Sequence, residues 1–248
     1  MPNLYPNPAY GTFINYAHRG ASEYAPENTL LSFHTGIFMG ANGIETDVRR
    51  TKDGVLVLFH DDTLARVTGE EGGVADYTLE ELRRFRVTKG HLTDKICTLE
   101  EFLAAFAHHD LTFAIELKAP DVEEDTAAMI RRYGAEEKVV ITSFNFDFVR
   151  RMRTVAPSLK CGWLTSAVTD ERLAEMKNLG IGEICPKAAD ITAESTARWH
   201  EMGLGVRAWG VANEEIMIRA CEAGVDGMTV NFPDKLTAFI TEKWGTKA

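Results

Sequence analysis

The sequence predicts an α/β fold, a closed barrel of eight parallel strands with helices packed around it. Three observations carry this. A chain of 248 residues suits one such barrel as a single domain. A hydrophobic content of 45% is enough to bury a large core. From Lys138 onward, short apolar runs alternate with amphipathic stretches, the rhythm of parallel βα units.

In chain order, the front half holds NYAHRG, a helix from about Asn28 to Met39, then GIETDVRR, VLVLFHDD and LTFAIELK. The later strands are KVVITSF (138–144), LKCGWLT (159–165), IGEICPK (181–187), LGVRAWGV (204–211) and VDGMTVNF (225–232). Between them, DERLAEMKNLG and NEEIMIRACEAG read as helices, with Asp170 and Asn213 at the N-caps and Gly180 and Gly224 at the closing turns. This makes nine strand-like runs, one too many. Only TKDG separates DVRR from VLVLFHD, and a parallel crossover needs about a dozen residues or more. Those two runs are therefore expected to form an antiparallel hairpin turning at Asp53-Gly54. Its return brings His60 back opposite about Glu45.

Residues 62–96 break the rhythm. They carry no long apolar run and one short helical stretch, TLEELRRF. The segment reads either as an insertion over the catalytic mouth, serving substrate selection and not chemistry, or as an ordinary mobile surface loop. With only Leu79, Leu82 and Phe85 as an apolar stripe, it is expected to add little to the barrel core.

Composition narrows the function. The net charge of −10, from 37 acids and 27 bases, argues against duplex nucleic acid or an anionic membrane as partner. Cys97, Cys161, Cys185 and Cys221 are widely spaced, with no zinc or redox motif, so they read as free or buried thiols. MPNLYPNPAYGTF lacks the pattern of an export signal, and no apolar stretch approaches the ~20 residues of a membrane span. A cytoplasmic location without stable membrane insertion is expected, and a homo-oligomer stays open.

Polar residues gather at the ends of the front strands, where a barrel keeps its active site. Glu45 and Asp47 lie two apart on a strand and share a face, and Glu116 and Lys118 repeat the spacing. Buried acids are costly unless paired or metal-bound. Three converging carboxylates suit a hard divalent ion, Mg²⁺ or Ca²⁺; a salt-bridge cluster with Lys118 and Arg19 explains them as well. His18 and His60 each follow an apolar strand, and two imidazoles flanking a phosphate can serve as general acid and base. Arg19 offers a fork donor for phosphate oxygens, Lys118 a point charge, and Trp209 an apolar face at the seventh strand's end.

Taken in order, these residues resemble the glycerophosphodiester phosphodiesterase family. AHRGASEYAPENTLLSF is similar to its first motif, ETDVRRTKDGVLVLFHD to its second and IELK to its third, and the likeness continues through TSFN, AWGVAN and NFPD. The resemblance implies a TIM barrel with a small insertion after His60. It implies metal ligation by Glu45, Asp47 and Glu116, acid/base roles for His18 and His60, and substrate contacts from Arg19, Lys118 and Trp209. The implied substrate is a small-molecule glycerophosphodiester, cut to sn-glycerol 3-phosphate and an alcohol. Glu27 matches a position near the metal site, and Asn231 stands where many relatives have an acid. The rival readings are a phospholipase D-like or sphingomyelinase D-like enzyme acting on a lipid, and a non-catalytic barrel that binds phosphorylated ligands.

Overall fold

In the computed structural model of the protein, the structure describes residues 5–7 and 11–245, so most of the MPNLYPNPAY segment lies outside the described residues. The barrel strands are β1 (Gly11–His18), β2 (Gly43–Arg50), β3 (Thr112–Leu117) and β4 (Val139–Ser143). They continue as β5 (Lys160–Thr165), β6 (Glu183–Pro186), β7 (Gly205–Ala208) and β8 (Gly227–Val230). Each pairs in parallel with its neighbours in chain order, and β8 pairs with β1 to close the ring. This is the TIM barrel expected above. Register matters for the site: His18 lies beside Glu45, and Asp47 beside Glu116.

The helices are α1 (Leu30–Phe38), α2 (Ala65–Thr68), α3 (Leu79–Leu82), α4 (Leu99–Phe106) and α5 (Glu123–Arg132). After them come α6 (Phe146–Val155), α7 (Asp170–Leu179), α8 (Ala193–Glu201), α9 (Glu214–Glu222) and α10 (Pro233–Trp244). Helix α6 shows how the pattern folds. Phe146, Val149 and Met152, spaced by three, bury one face, while Asn145 caps the N-terminus by accepting from the Asp147 amide. Pro157 follows directly and cannot extend the helix. Burying each such side chain is worth about 1.5–3 kcal/mol. Asn213 caps α9 as expected, but the cap of α7 is Thr169 and not Asp170, which sits at the first helical position. Thr169 is the extended residue whose hydroxyl accepts from the Arg172 amide, whereas Asp170 complements the helix dipole. Gly180 and Gly224 take left-handed backbone at the two helix ends.

The ninth run is an antiparallel strand, Leu56–Leu58, paired with the end of β2: Arg50 opposite Leu56 and Val48 opposite Leu58. Gly54 supplies the left-handed turn residue. The Phe59 amide then donates to the Asp47 carbonyl at 3.0 Å, carrying His60 back toward the end of β2.

Residues 62–96 form α2, a short 3₁₀ turn at Val74–Asp76, α3 and a hairpin of Val87–Lys89 with Leu92–Asp94. Contrary to the thin stripe read from the sequence, they build a small core of their own. Leu64, Val67, Val74, Leu82, Val87 and Ile96 pack on Val57 and Phe59 of the β2 hairpin. The irregular spacing of these residues hid them from any helical or strand period.

The barrel interior is polar where most such barrels carry branched aliphatics. Arg207, 1% exposed, bonds Glu183, Thr229 and Cys185, and its guanidinium faces the Tyr16 ring at 5.1 Å. Gly162 makes room, since a Cβ there would come within 2.6 Å of Glu183.

Candidate active site

The β1–α1 loop is shaped by its backbone. Arg19 adopts left-handed backbone with φ 54°, an uncommon state for a side chain that size. It is held there on every side: its amide donates to the Glu45 carbonyl at 2.9 Å, and its own carbonyl accepts from the Asn28 amide and the Ser32 hydroxyl. Gly20 follows, where a Cβ would fall 2.3 Å from Ser32 Oγ, so no other residue fits. The Asn28 side chain then donates to Asp47 at 2.9 Å and accepts from Thr46. The Pro26–Thr29 turn therefore braces the carboxylates from behind.

A cavity of about 290 Å³ opens at the C-terminal ends of the strands. His18, Arg19, Glu45, His60, Glu116, Lys118 and Trp209 all line it. Asp47, fully buried, lies just beneath with Arg19 Nε at 3.2 Å and Lys118 Nζ at 3.5 Å. One wall is charged. The other is apolar, formed by Phe144, Leu164, Trp209 and Val211, with the Phe144 ring edge-on to Trp209 at 4.8 Å. Trp209 is fixed by its indole N–H, which donates to the Thr165 carbonyl.

Glu45, Asp47 and Glu116 present oxygens within 4.8 Å of one another, all buried. Arg19 and Lys118 answer only part of their charge. Burial, reinforced by Asp47, pushes the Glu116 carboxyl up to about 7 despite Lys118 Nζ at 2.7 Å. Burial and both neighbouring acids push Glu45 well above the ordinary range. Asp47 goes the other way: burial would raise it, but Arg19, Lys118 and the Asn28 bond hold it at about 2. Both salt bridging and surplus negative charge are thus present, and Asp47 Oδ1 has no hydrogen bond. Hard oxygen donors with charge to spare fit a divalent cation.

Each histidine has its Nδ1 engaged. His18 Nδ1 donates to the Asn231 amide oxygen at 2.5 Å, and His60 Nδ1 donates to the Asp61 carboxylate at 2.6 Å. With Nδ1 taken, each ring has its Nε2 left for a further partner, and that of His18 lies 3.8 Å from Glu45 Oε2. Burial, with Arg19 nearby, lowers His18 to about 4, so it stands neutral at pH 7. Burial also lowers His60, with Asp47 and the Asp61 bond opposing.

Several roles escaped the sequence reading. Asp61 orients one imidazole, Asn231, read from the sequence only as standing in an acid's place, orients the other, Asn28 braces Asp47, and Phe144 forms a wall. Arg66 comes from the insertion and bonds both Glu27 and Asp61. Glu27 itself pairs with Arg19 at 2.9 Å. The adjacency of Asp61 to His60 in FHDD was the one visible clue.

Residues 18–235 match the model of the glycerophosphoryl diester phosphodiesterase family. The chain is 35% identical to the glycerophosphodiester phosphodiesterase of Caldanaerobacter subterraneus subsp. tengcongensis, over 89% of this chain and 94% of that protein. It is 32% identical to a glycerophosphodiester phosphodiesterase of Bacillus subtilis, over 89% and 84%. Among solved structures it resembles an Oleispira antarctica phosphodiesterase in complex with the product sn-glycerol 3-phosphate. The TM-score is 0.81 at 25% identity, covering 92% of this chain and 96% of that one.

Proposed function

This chain belongs to the glycerophosphoryl diester phosphodiesterase family, and on that premise we infer that it hydrolyses glycerophosphodiesters to sn-glycerol 3-phosphate and an alcohol. One observation carries the assignment of roles: two histidines, each with Nδ1 bonded to a side-chain oxygen, share a cavity with Arg19, Lys118 and a cluster of buried carboxylates. The Arg19 guanidinium and the Lys118 ammonium bind the non-bridging phosphoryl oxygens and stabilise the charge that builds on them. One imidazole accepts a proton from the attacking oxygen, and the other gives one to the departing alkoxide. The attacking oxygen belongs to water or to the substrate's own glycerol 2-hydroxyl. Trp209, with Phe144 and Leu164, packs against carbon and keeps the phosphate on the charged wall.

The carboxylates of Glu45, Asp47 and Glu116 would hold Mg²⁺ or Ca²⁺, which when bound would add positive charge at the phosphoryl oxygens. Residues 62–96, which reach the edge of the site through Arg66 on Glu27 and Asp61, help to choose the alcohol. The four cysteines are buried and free, which suits a reducing compartment and supports a cytoplasmic reading. Among the described residues, no helix is long and apolar enough to cross a membrane.

The test is to incubate the protein with glycerophosphocholine, a lysophospholipid and sphingomyelin, with EDTA or with added Mg²⁺ or Ca²⁺, and to identify the products. Glycerol 3-phosphate release that EDTA abolishes and a divalent ion restores is the expected result. Full turnover in chelator would remove the metal from the account, and a lipid preference would redirect the substrate.

A further inference from the structure

Four charged groups and an imidazole run in line at the edge of the cavity: Arg19, Glu27, Arg66, Asp61 and His60. Arg66 is the central one. Its Nη1 and Nη2 donate to the two oxygens of Glu27, each at 2.7 Å, and its Nε donates to Asp61 Oδ2 at 2.6 Å. Glu27 Oε1 also accepts from Arg19 at 2.9 Å, and Asp61 Oδ1 accepts from His60 Nδ1 at 2.6 Å. One planar guanidinium thus joins the carboxylate behind the phosphate-binding arginine to the carboxylate behind a catalytic histidine. Lysine, with one nitrogen, cannot make this fork.

We propose that Arg66 is a positioning residue through which the insertion holds Arg19 and His60 in their working orientations. The inference rests on the roles given to those two residues above. Arg66 does not line the cavity, and its side chain is 47% exposed, so it acts through others and not on substrate. As a set of surface ion pairs it would contribute little to stability. Its geometry, however, is fixed by more than charge. Leu64 and Val67, on either side of it, are buried in the insertion's own core. The Leu64 amide donates to the Gly72 carbonyl, and the Val67 carbonyl accepts from Thr88 Oγ. The place of Arg66 is therefore set by how the insertion folds.

The physical consequence follows from what each carboxylate would do alone. Without Arg66, Glu27 keeps only Arg19 as a cationic partner and is itself less firmly placed, so Asp47, 3.2 Å from Nε, is left as the one well-fixed carboxylate aiming the guanidinium at the phosphate. Asp61 loses the bond that aims its Oδ1 at His60 Nδ1, so the ring can turn or exchange tautomers. The first loss weakens binding, and the second slows turnover.

The experiment compares wild type with Arg66→Ala, Arg66→Lys, Asp61→Asn and the double variant Arg66→Ala/Asp61→Asn. It measures kcat and KM for glycerophosphocholine, and Tm. Arg66→Ala should keep a Tm close to wild type while kcat falls about tenfold or more, the scale seen when an orienting partner is lost, and KM rises severalfold. Arg66→Lys should recover part of KM and little of kcat. The double variant should turn over no more slowly than Asp61→Asn, because Arg66 reaches His60 only through Asp61. Millimolar guanidinium should restore part of the activity of Arg66→Ala, which a folding defect would not allow. A kcat for Arg66→Ala within twofold of wild type, or kcat losses that multiply independently in the double variant, would overturn the proposal. If Arg66→Ala does not fold, the Arg66→Lys split between KM and kcat decides alone. A wild-type protein that releases no glycerol 3-phosphate would bring down the reading of the site and this inference with it. An active wild type with an indifferent Arg66 would overturn the inference only.

Discussion

At the scale of single residues, the site is a problem of charge. Glu45 and Glu116 are raised by burial and by the charge of Asp47, Glu116 to about 7. A carboxyl raised in the folded state keeps a proton that the unfolded chain has released. Its stabilisation is complete below the ordinary glutamate range and gone once pH passes about 7. An ion-free preparation should therefore lose stability between about pH 4.5 and pH 7 as Glu116 titrates, and Glu45 acts in the same direction. A divalent ion needs both deprotonated, so its binding strengthens over the same interval. The gap in Tm between Mg²⁺- or Ca²⁺-loaded and EDTA-treated protein should widen from about pH 5.5 to about pH 8, as calorimetry would show. A constant gap would mean that the carboxylates are ionised throughout. The histidines give a second prediction. Replacing His18 or His60 by alanine should lower kcat about 10²-fold or more on a natural diester. With a p-nitrophenyl leaving group, which departs without a proton, one variant should recover and the other should not. The one that recovers is the general acid. The functional residues at strand ends were legible because strand parity places them on one face. Asp61 and Asn231 were not, because which polar neighbour a ring nitrogen finds depends on the closed barrel.

At the scale of elements, the hairpin after β2 and the insertion carry the lesson. The hairpin was legible from arithmetic alone: four residues cannot make a parallel crossover, and the return brings His60 to the mouth, where it lines the cavity. The insertion was legible as a break in rhythm and not as a folded unit. Val67, Val74, Leu82, Val87 and Ile96 share no period, and their partners Val57 and Phe59 belong to the hairpin. Replacing residues 62–96 with a short glycine-serine linker would uncover those two buried side chains and remove Arg66. The barrel should still fold and bind a divalent ion, but with a lower Tm. Turnover should fall even on bis(p-nitrophenyl) phosphate, a substrate too small to need the cover. Unchanged turnover on that diester would return the segment to substrate selection alone.

At the scale of the whole molecule, the βα rhythm made the barrel readable, and its interior stayed hidden. Arg207 sits in VRAWGV like any strand residue, and nothing local says that it points along the barrel axis. Breaking its pairing by Arg207→Met would leave a part-buried Glu183 without its cation, a loss of about 1–3 kcal/mol. A Tm drop of roughly 2–12 °C follows for a chain of this size, partly regained by Glu183→Gln in the same chain. The pair also has a direction. Arg207 reaches the floor of the catalytic cavity, while Glu183 borders a recess on the other side. Their cationic end faces the substrate cavity. Burial of Arg207, 1% exposed, shields that charge from dissolved ions. Its inward pull on a phosphodiester should therefore persist at salt concentrations that erase the influence of the acidic surface.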